Sequence, residues 1–198
     1  VSVLVTKAAP EFTKPAILAD GSHGMFSLSS LKGKYVVLFF YPLDFTFVCP
    51  SEIVAHNHRI AQFKERGVEV VGVSIDSEHT HYAWRNTSLE DGGIGDIDFT
   101  LVADVNHSVT EAYGIEHPES IALRASFLID PNGVVRHQVV NDLPLGRNVD
   151  EMLRMVDALQ FHEEHGDVCP AGWQKGDAAM TPNSAGVAAY LAEHGEAL

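Results

Sequence analysis

FYPLDFTFVCPSE, residues Phe40 to Glu52, begins as an apolar strand and ends inside a helix, and a cysteine, Cys49, stands at the junction. The strand starts a little earlier. Tyr35–Phe40 reads YVVLFF, the unbroken apolar run of a central strand buried on both faces. Pro50 follows the cysteine, and proline favours the first helical position because its missing N–H is not needed there. This predicts a helix over Ser51–Arg66 with Cys49 as its N-cap and Gly67 as its stop. Glu52 then falls at the third helical position, where its carboxylate can reach back to the Cys49 N–H as half of a capping box. A sulfur in the cap position faces unpaired helix N–H groups and the positive end of the dipole, and both favour thiolate over thiol. Thr46 can add a hydroxyl, and Pro42 can fix the loop and shield the site from water. The competing reading is a small buried hydrophobe, which an isolated cysteine often is.

Outward from this stretch, strand and helix alternate. Val68–Ile75 is the next strand and Ser77–Leu89 the next helix. Thr100–Ala103 is a short strand, and Asn106 is expected to cap a short helix ending at Tyr113. Strands at Ala125–Ile129 and Val134–Val140 flank an Asp130-Pro131-Asn132-Gly133 turn, which makes them a hairpin. Asn148 opens a last helix with Asp150 and Glu151 in its positive first turn. Val149, Met152, Leu153, Val156 and Leu159 line one side of that helix. The order β-α-β-α-β-α-β-β-α predicts an α/β fold with a mixed central sheet and helices on both faces, an arrangement that resembles thioredoxin. Residues 1–34 are expected to add a hairpin before the core. A domain over residues 1–165 followed by a C-terminal arm over 166–198 completes the organisation.

The chain has 198 residues, 45% of them hydrophobic, and a formal net charge of −14. So acidic a surface repels phosphate backbones and anionic lipid, which argues against nucleic-acid and membrane partners. No apolar run approaches the roughly 18 residues that a spanning helix needs, and no signal peptide is expected. Two cysteines are too few for a disulfide framework, so a reducing, cytoplasmic setting is expected. The sequons at Asn86 and Asn106 would matter only in a secreted chain.

A lone activated thiolate leaves several chemistries open. A disulfide oxidoreductase would place a second cysteine three residues from Cys49, and none is there. A cysteine hydrolase needs a histidine base, which 11 histidines leave possible. A peroxidase needs the thiolate, donors to polarise an O–O bond and a means of regeneration, which Cys169 on a mobile tail could supply.

At this point the residues match a family. PLDFTFVCPSE closely resembles the active-site segment of the peroxiredoxins, with Pro42, Thr46 and Cys49 in the pattern P-x-x-x-T-x-x-C. His165–Gly176, HGDVCPAGWQKG, resembles the resolving-cysteine segment of the typical two-cysteine subclass. The resemblance implies that Cys49 is the peroxidatic thiolate. Arg124 would stabilise it and orient the peroxide, Thr46 would hydrogen-bond the reacting oxygens, and Pro42 would close the pocket. Glu52, Trp84 and Arg147 would support the site. Cys169 of a partner subunit would form a disulfide with oxidised Cys49, and thioredoxin or a similar dithiol would reduce it. The same resemblance implies a homodimer, a ring of five dimers, hydroperoxide as substrate and no cofactor. The Cys169-Pro170-Ala171-Gly172-Trp173 run is nearer to thioredoxin-reduced relatives than to those reduced by a flavoprotein. Gly92-Gly93-Ile94-Gly95 and Tyr190-Leu191 resemble the motifs of overoxidation-sensitive members, with leucine where those carry phenylalanine. That departure predicts intermediate sensitivity.

Other signals carry less. Gly92–Gly95 lacks the Lys-Ser/Thr of a phosphate loop. His162-Glu163-Glu164-His165 is one residue short of a zinc-protease motif and reads as a solvated helix end. His56, His58, His79 and His81 read as surface histidines, and Met152 and Met155 as core. A redox-regulated chaperone or scaffold that binds unfolded clients is the alternative of a different class. It would keep client protection in Cys49→Ser, whereas a peroxidase would lose its activity.

Overall fold

The computed structural model describes residues 2–197. Its centre is the YVVLFF run, which forms β3 (Tyr35–Phe40). β4 (Val68–Ser74) pairs parallel on one side of it and β8 (Arg124–Ile129) antiparallel on the other. Beyond β4 lie β5 (Thr100–Ala103), β1 (Thr13–Ile17) and β2 (His23–Ser27), and beyond β8 lies β9 (Val135–Asn141). The sheet thus has seven strands in the order β2-β1-β5-β4-β3-β8-β9. It is mixed, as the sequence predicts, and β1–β2 is the expected early hairpin.

Alternation along β3 divides its side chains between two cores. Val36, Leu38 and Phe40 join Val71, Val73, Tyr113 and Phe127 on one face. Phe39 points to the other, where it meets His56 and Phe99. Opposite Phe39 stands Gly72, where an added Cβ would lie 2.8 Å from Leu101 and 3.0 Å from the Phe39 ring. The absence of a side chain there lets the ring lie against the sheet. The hairpin turn between β8 and β9 is held by Asp130, whose Oδ1 accepts from the N–H groups of Asn132 (2.9 Å) and Val134 (3.0 Å).

Several helix ends differ from the sequence reading. The helix after Cys49 is two helices, α1 (Cys49–His58) and α2 (Ile60–Glu65), broken at Arg59 (φ −107°, ψ 4°). Arg59 sends its own guanidinium to the Ala55 carbonyl at 3.2 Å, which answers a carbonyl that the break leaves free. Gly67, at φ +67°, then ends α2 as expected. Cys49 is the first residue of α1, and the cap position falls to Val48. Glu52 therefore makes no capping box; its carboxylate is taken by two arginines, whose charge outcompetes a backbone N–H. α3 (Glu78–Arg85) starts one residue after the expected Ser77, which caps it by accepting from Thr80 N, and stops short of the expected end at Leu89. α4 (Ser108–Ala112) is capped from a distance: the Asp104 carboxylate accepts from Val109 N and Thr110 N, and Lys14 pairs with it at 2.9 Å. Asn106 is not the cap. A two-strand ribbon, β6 (Glu116–His117) and β7 (Ile121–Ala122), was not foreseen.

Close contacts divide the chain into two compact units, Val1–Val149 and Asp150–Leu198. In the second, α5 (Val149–His165) leads to a short bridge between Val168 and Met180. α6 (Ser184–His194) follows, capped by Asn183 Oδ1 on Gly186 N at 2.8 Å. A tail without regular structure is expected here from the sequence, and the helix is the difference. Among the described residues, no helix is long and apolar enough to cross a membrane.

Candidate active site

Cys49 lies at the start of α1, just beyond the carboxyl end of β3. The residue is 0% exposed and is bonded to no other cysteine among the described residues. Two donors face its sulfur: Thr46 Oγ1 at 3.0 Å and Arg124 Nη1 at 3.3 Å. The Thr46 hydroxyl also lies 2.8 Å from the Leu43 carbonyl. It has one proton, so it can donate to the carbonyl while the sulfur is a thiol and to the sulfur once it is a thiolate. Pro42 is buried in the same loop. Phe45 between them has φ +53°, a conformation that costs a β-carbon residue energy and must be held by its surroundings.

Arg124 does not act alone. Glu52, one turn into α1, accepts from Arg124 Nη1 on Oε2 at 2.7 Å and from Arg147 Nε on Oε1 at 2.8 Å. Arg147 N also donates to Oε1, at 3.0 Å, and Arg147 Nη1 reaches the carbonyls of Phe40 (2.7 Å) and Ala125 (2.6 Å). One carboxylate between two guanidinium groups leaves a surplus positive charge beside the sulfur, in a place that water does not reach. Burial works to raise the Glu52 pKa, but Arg147 outweighs it and the carboxyl is held below its ordinary value. The Arg147 guanidinium lies 5.3 Å from the Phe39 ring centre, and its Nη2 has no hydrogen-bond partner among the described residues.

Cys49, Thr46, Arg124, Glu52 and Arg147 therefore come together in one contact network. Trp84 is fully buried beneath the loop, with Nε1 donating to the Gly92 carbonyl at 3.0 Å and its ring 5.7 Å from Phe45. Cys169 belongs to the second compact unit, where it is a free, half-buried thiol.

Two histidines read as surface residues prove to be buried. His56 stacks on Phe39 with ring centres 4.1 Å apart, and its Nδ1–H donates to the Glu52 carbonyl at 2.7 Å. Burial, reinforced by the Arg147 charge, lowers its pKa to about 4, so it is neutral at physiological pH. The signal was present in the sequence, since Ile53, His56, Ile60 and Phe63 follow helical spacing and His56 completes the apolar stripe. His81 lies 2.7 Å from Asp44 Oδ2, and its Nε2–H donates to the Val102 carbonyl at 3.1 Å. Burial disfavours the imidazolium, but the Asp44 carboxylate outweighs it and raises the pKa. Tyr41 donates to the other oxygen of Asp44 at 2.8 Å, and Asp44 N donates to Asp76. This network ties the loop of Pro42 and Thr46 to β3 and α3.

A thioredoxin-like sheet with a buried cysteine, a threonine hydroxyl and an arginine at one end defines a thiol-based peroxidase. Comparison with known proteins agrees. Residues 5–138 match the AhpC/TSA family, and residues 158–193 match the C-terminal domain of 1-Cys peroxiredoxin. Alkyl hydroperoxide reductase C of Helicobacter pylori (strain J99) is 57% identical over 194 residues, covering 97% of this chain and 98% of that one. Mouse peroxiredoxin-2 is 50% identical over 191 residues, covering 96% of each chain. The crystal structure of reduced Plasmodium vivax 2-Cys peroxiredoxin superposes with a TM-score of 0.94 at 51% identity, covering 96% of this chain and 100% of that one. The chain belongs to the AhpC/TSA family, the peroxiredoxins, and is a peroxidase.

Proposed function

We propose that Cys49 is the peroxidatic residue and that Cys169 of a second copy resolves it. In the first step the Cys49 thiolate attacks the terminal oxygen of a hydroperoxide. An S–O bond forms and the O–O bond breaks. The leaving alkoxide or hydroxide takes a proton to become alcohol or water, and the sulfur becomes a sulfenic acid. Negative charge moves from sulfur to the leaving oxygen, and Arg124 Nη1 and the Thr46 hydroxyl already face the place where it moves. The arginine stays protonated at any cellular pH, so it holds the thiolate without titrating. Glu52 and Arg147 position Arg124, Pro42 closes the loop, and Trp84 supports it. The observation that carries this reading is the buried sulfur within reach of both donors.

Cys169 of the second copy then attacks the sulfenic sulfur, and thioredoxin or a similar dithiol reduces the disulfide by exchange. A fully buried sulfur cannot meet a second cysteine, whose Cα must come within about 7 Å. The first turn of α1 therefore unwinds locally before the disulfide forms. Resolution between copies needs at least a dimer, and the family suggests a ring of five. Phe47, 96% exposed, and half-exposed Phe45 offer an apolar surface for such assembly. The two free thiols are read as belonging to a reducing, cytoplasmic setting.

The test is non-reducing electrophoresis after one equivalent of hydrogen peroxide. A dimer band is expected that disappears in Cys49→Ser and in Cys169→Ser. A band that persists without either thiol would overturn the assignment.

A further inference from the structure

The resolving thiol also has a charged neighbour, and it lies within its own compact unit. Arg154, on α5, binds Glu151 through two parallel hydrogen bonds of 2.7 Å each. Its remaining terminal nitrogen, Nη1, donates to the Trp173 carbonyl at 2.8 Å. Ala158 follows one turn later on the same face of α5, and its carbonyl lies 3.5 Å from Cys169 Sγ. The 169–173 segment is thus fastened to one helical turn at both ends, by the thiol at one and by the guanidinium at the other. Trp173 completes the attachment, with its ring 4.9 Å from Phe161 and its Nε1–H bonded to the Asp177 carbonyl at 3.1 Å.

We propose that Arg154 is the positioning residue of the resolving thiol, pinning the 169–173 segment, and Cys169 with it, to the face of α5 that carries its guanidinium. This rests on the assignment of Cys169 as the resolving residue. In the step concerned, the Cys169 thiol gives up its proton and its sulfur attacks the sulfenic sulfur of Cys49. The S–S bond forms, the S–O bond breaks, and hydroxide leaves with the proton as water. The attacking sulfur is oxidised and the sulfenic sulfur reduced. Burial holds the Cys169 thiol above its ordinary pKa, while Arg154 pulls it down. Glu151 holds Arg154 in place, and its negative charge offsets part of the guanidinium's field.

The two residues therefore act on Cys169 with opposite signs, and their replacement separates electrostatics from mere docking. The experiment follows the pH dependence of iodoacetamide alkylation of Cys169 in full-length Cys49→Ser protein. Arg154→Gln is expected to move the half-maximal pH up by about half a unit to one unit, Glu151→Gln to move it down, and Arg154→Lys to restore most of the shift. With Cys49 restored, Arg154→Gln is expected to slow disulfide formation at pH 7 by about three- to tenfold, in proportion to the lost thiolate. Profiles that stay in place, or that move in the same direction in both Gln variants, would overturn the inference. Absence of any Cys169-dependent dimer band in otherwise unaltered protein would instead remove the reading on which it rests.

Discussion

At the scale of the residue, the chemistry depends on a small ledger of charge. Arg124 and Arg147 bring two positive charges and Glu52 one negative, all buried. Arg147→Gln should therefore lower kcat/KM for hydrogen peroxide by about tenfold or more without touching the sulfur, because the Arg124–Glu52 pair left behind is neutral. Steady-state assay at saturating reductant would show it, and an unchanged rate would mean that Arg124 is positioned without help. Thr46→Val, which keeps the shape and removes the hydroxyl, should cost about a hundredfold in the same assay. His56 makes a prediction about pH. Its folded pKa of about 4 lies below the ordinary value of 6.5, so the unfolded chain binds the extra proton between those values. Its contribution is complete above pH 6.5 and fades as pH falls towards 4. By pH 5 the loss should reach about 2 kcal/mol. Urea unfolding at pH 7 and pH 5 should show this loss in the unaltered protein and little of it in His56→Phe. Glu52 acts in the same sense but lower: its stabilisation is present above its unfolded value and disappears as pH falls through its depressed folded one.

At the scale of the element, what was legible in the sequence was whatever depends on neighbours along the chain. YVVLFF gave the central strand, Ser77 the start of α3, and Asp130 to Gly133 the hairpin turn. Contacts made across the fold were not legible in this way. A local contact hid as well: Asp104 caps α4 across His107, which adopts φ +62°, and no pattern of residue types marks that turn. The break at Arg59 is hidden because Ile53, Ile60 and Phe63 keep helical spacing across it. The capping box expected of Glu52 fails for a related reason: its carboxylate has partners 72 and 95 residues away. The Arg124 and Arg147 roles came from family resemblance, since nothing near them in sequence announces a site. Gly72 offers a test at this scale. A methyl group there would press on Leu101 and the Phe39 ring, so Gly72→Ala should destabilise the fold by roughly 1–3 kcal/mol in urea titration. A neutral result would mean that the Phe39 stack has slack.

At the scale of the whole molecule, a chain of net charge −14 places two guanidinium groups against one carboxylate in a buried pocket. Hydrogen peroxide is neutral, so the acidic surface neither attracts nor repels it. The rate of the first step should change little between low and physiological salt, since screening acts on charged partners. Assembly should respond to the exposed ring of Phe47: Phe47→Glu is expected to shift sedimentation towards smaller species, and an unaltered profile would place the contact elsewhere. The enclosure of the Cys49 sulfur has a further consequence, for the reagents that the protein meets. Every reagent needs the loop to open, and hydrogen peroxide is expected to need a smaller opening than a tripeptide thiol's disulfide or a bulky maleimide dye. Sorting by girth would spare the catalyst from being capped by the abundant thiols around it, and would leave dye labelling silent on a cysteine that is fully at work.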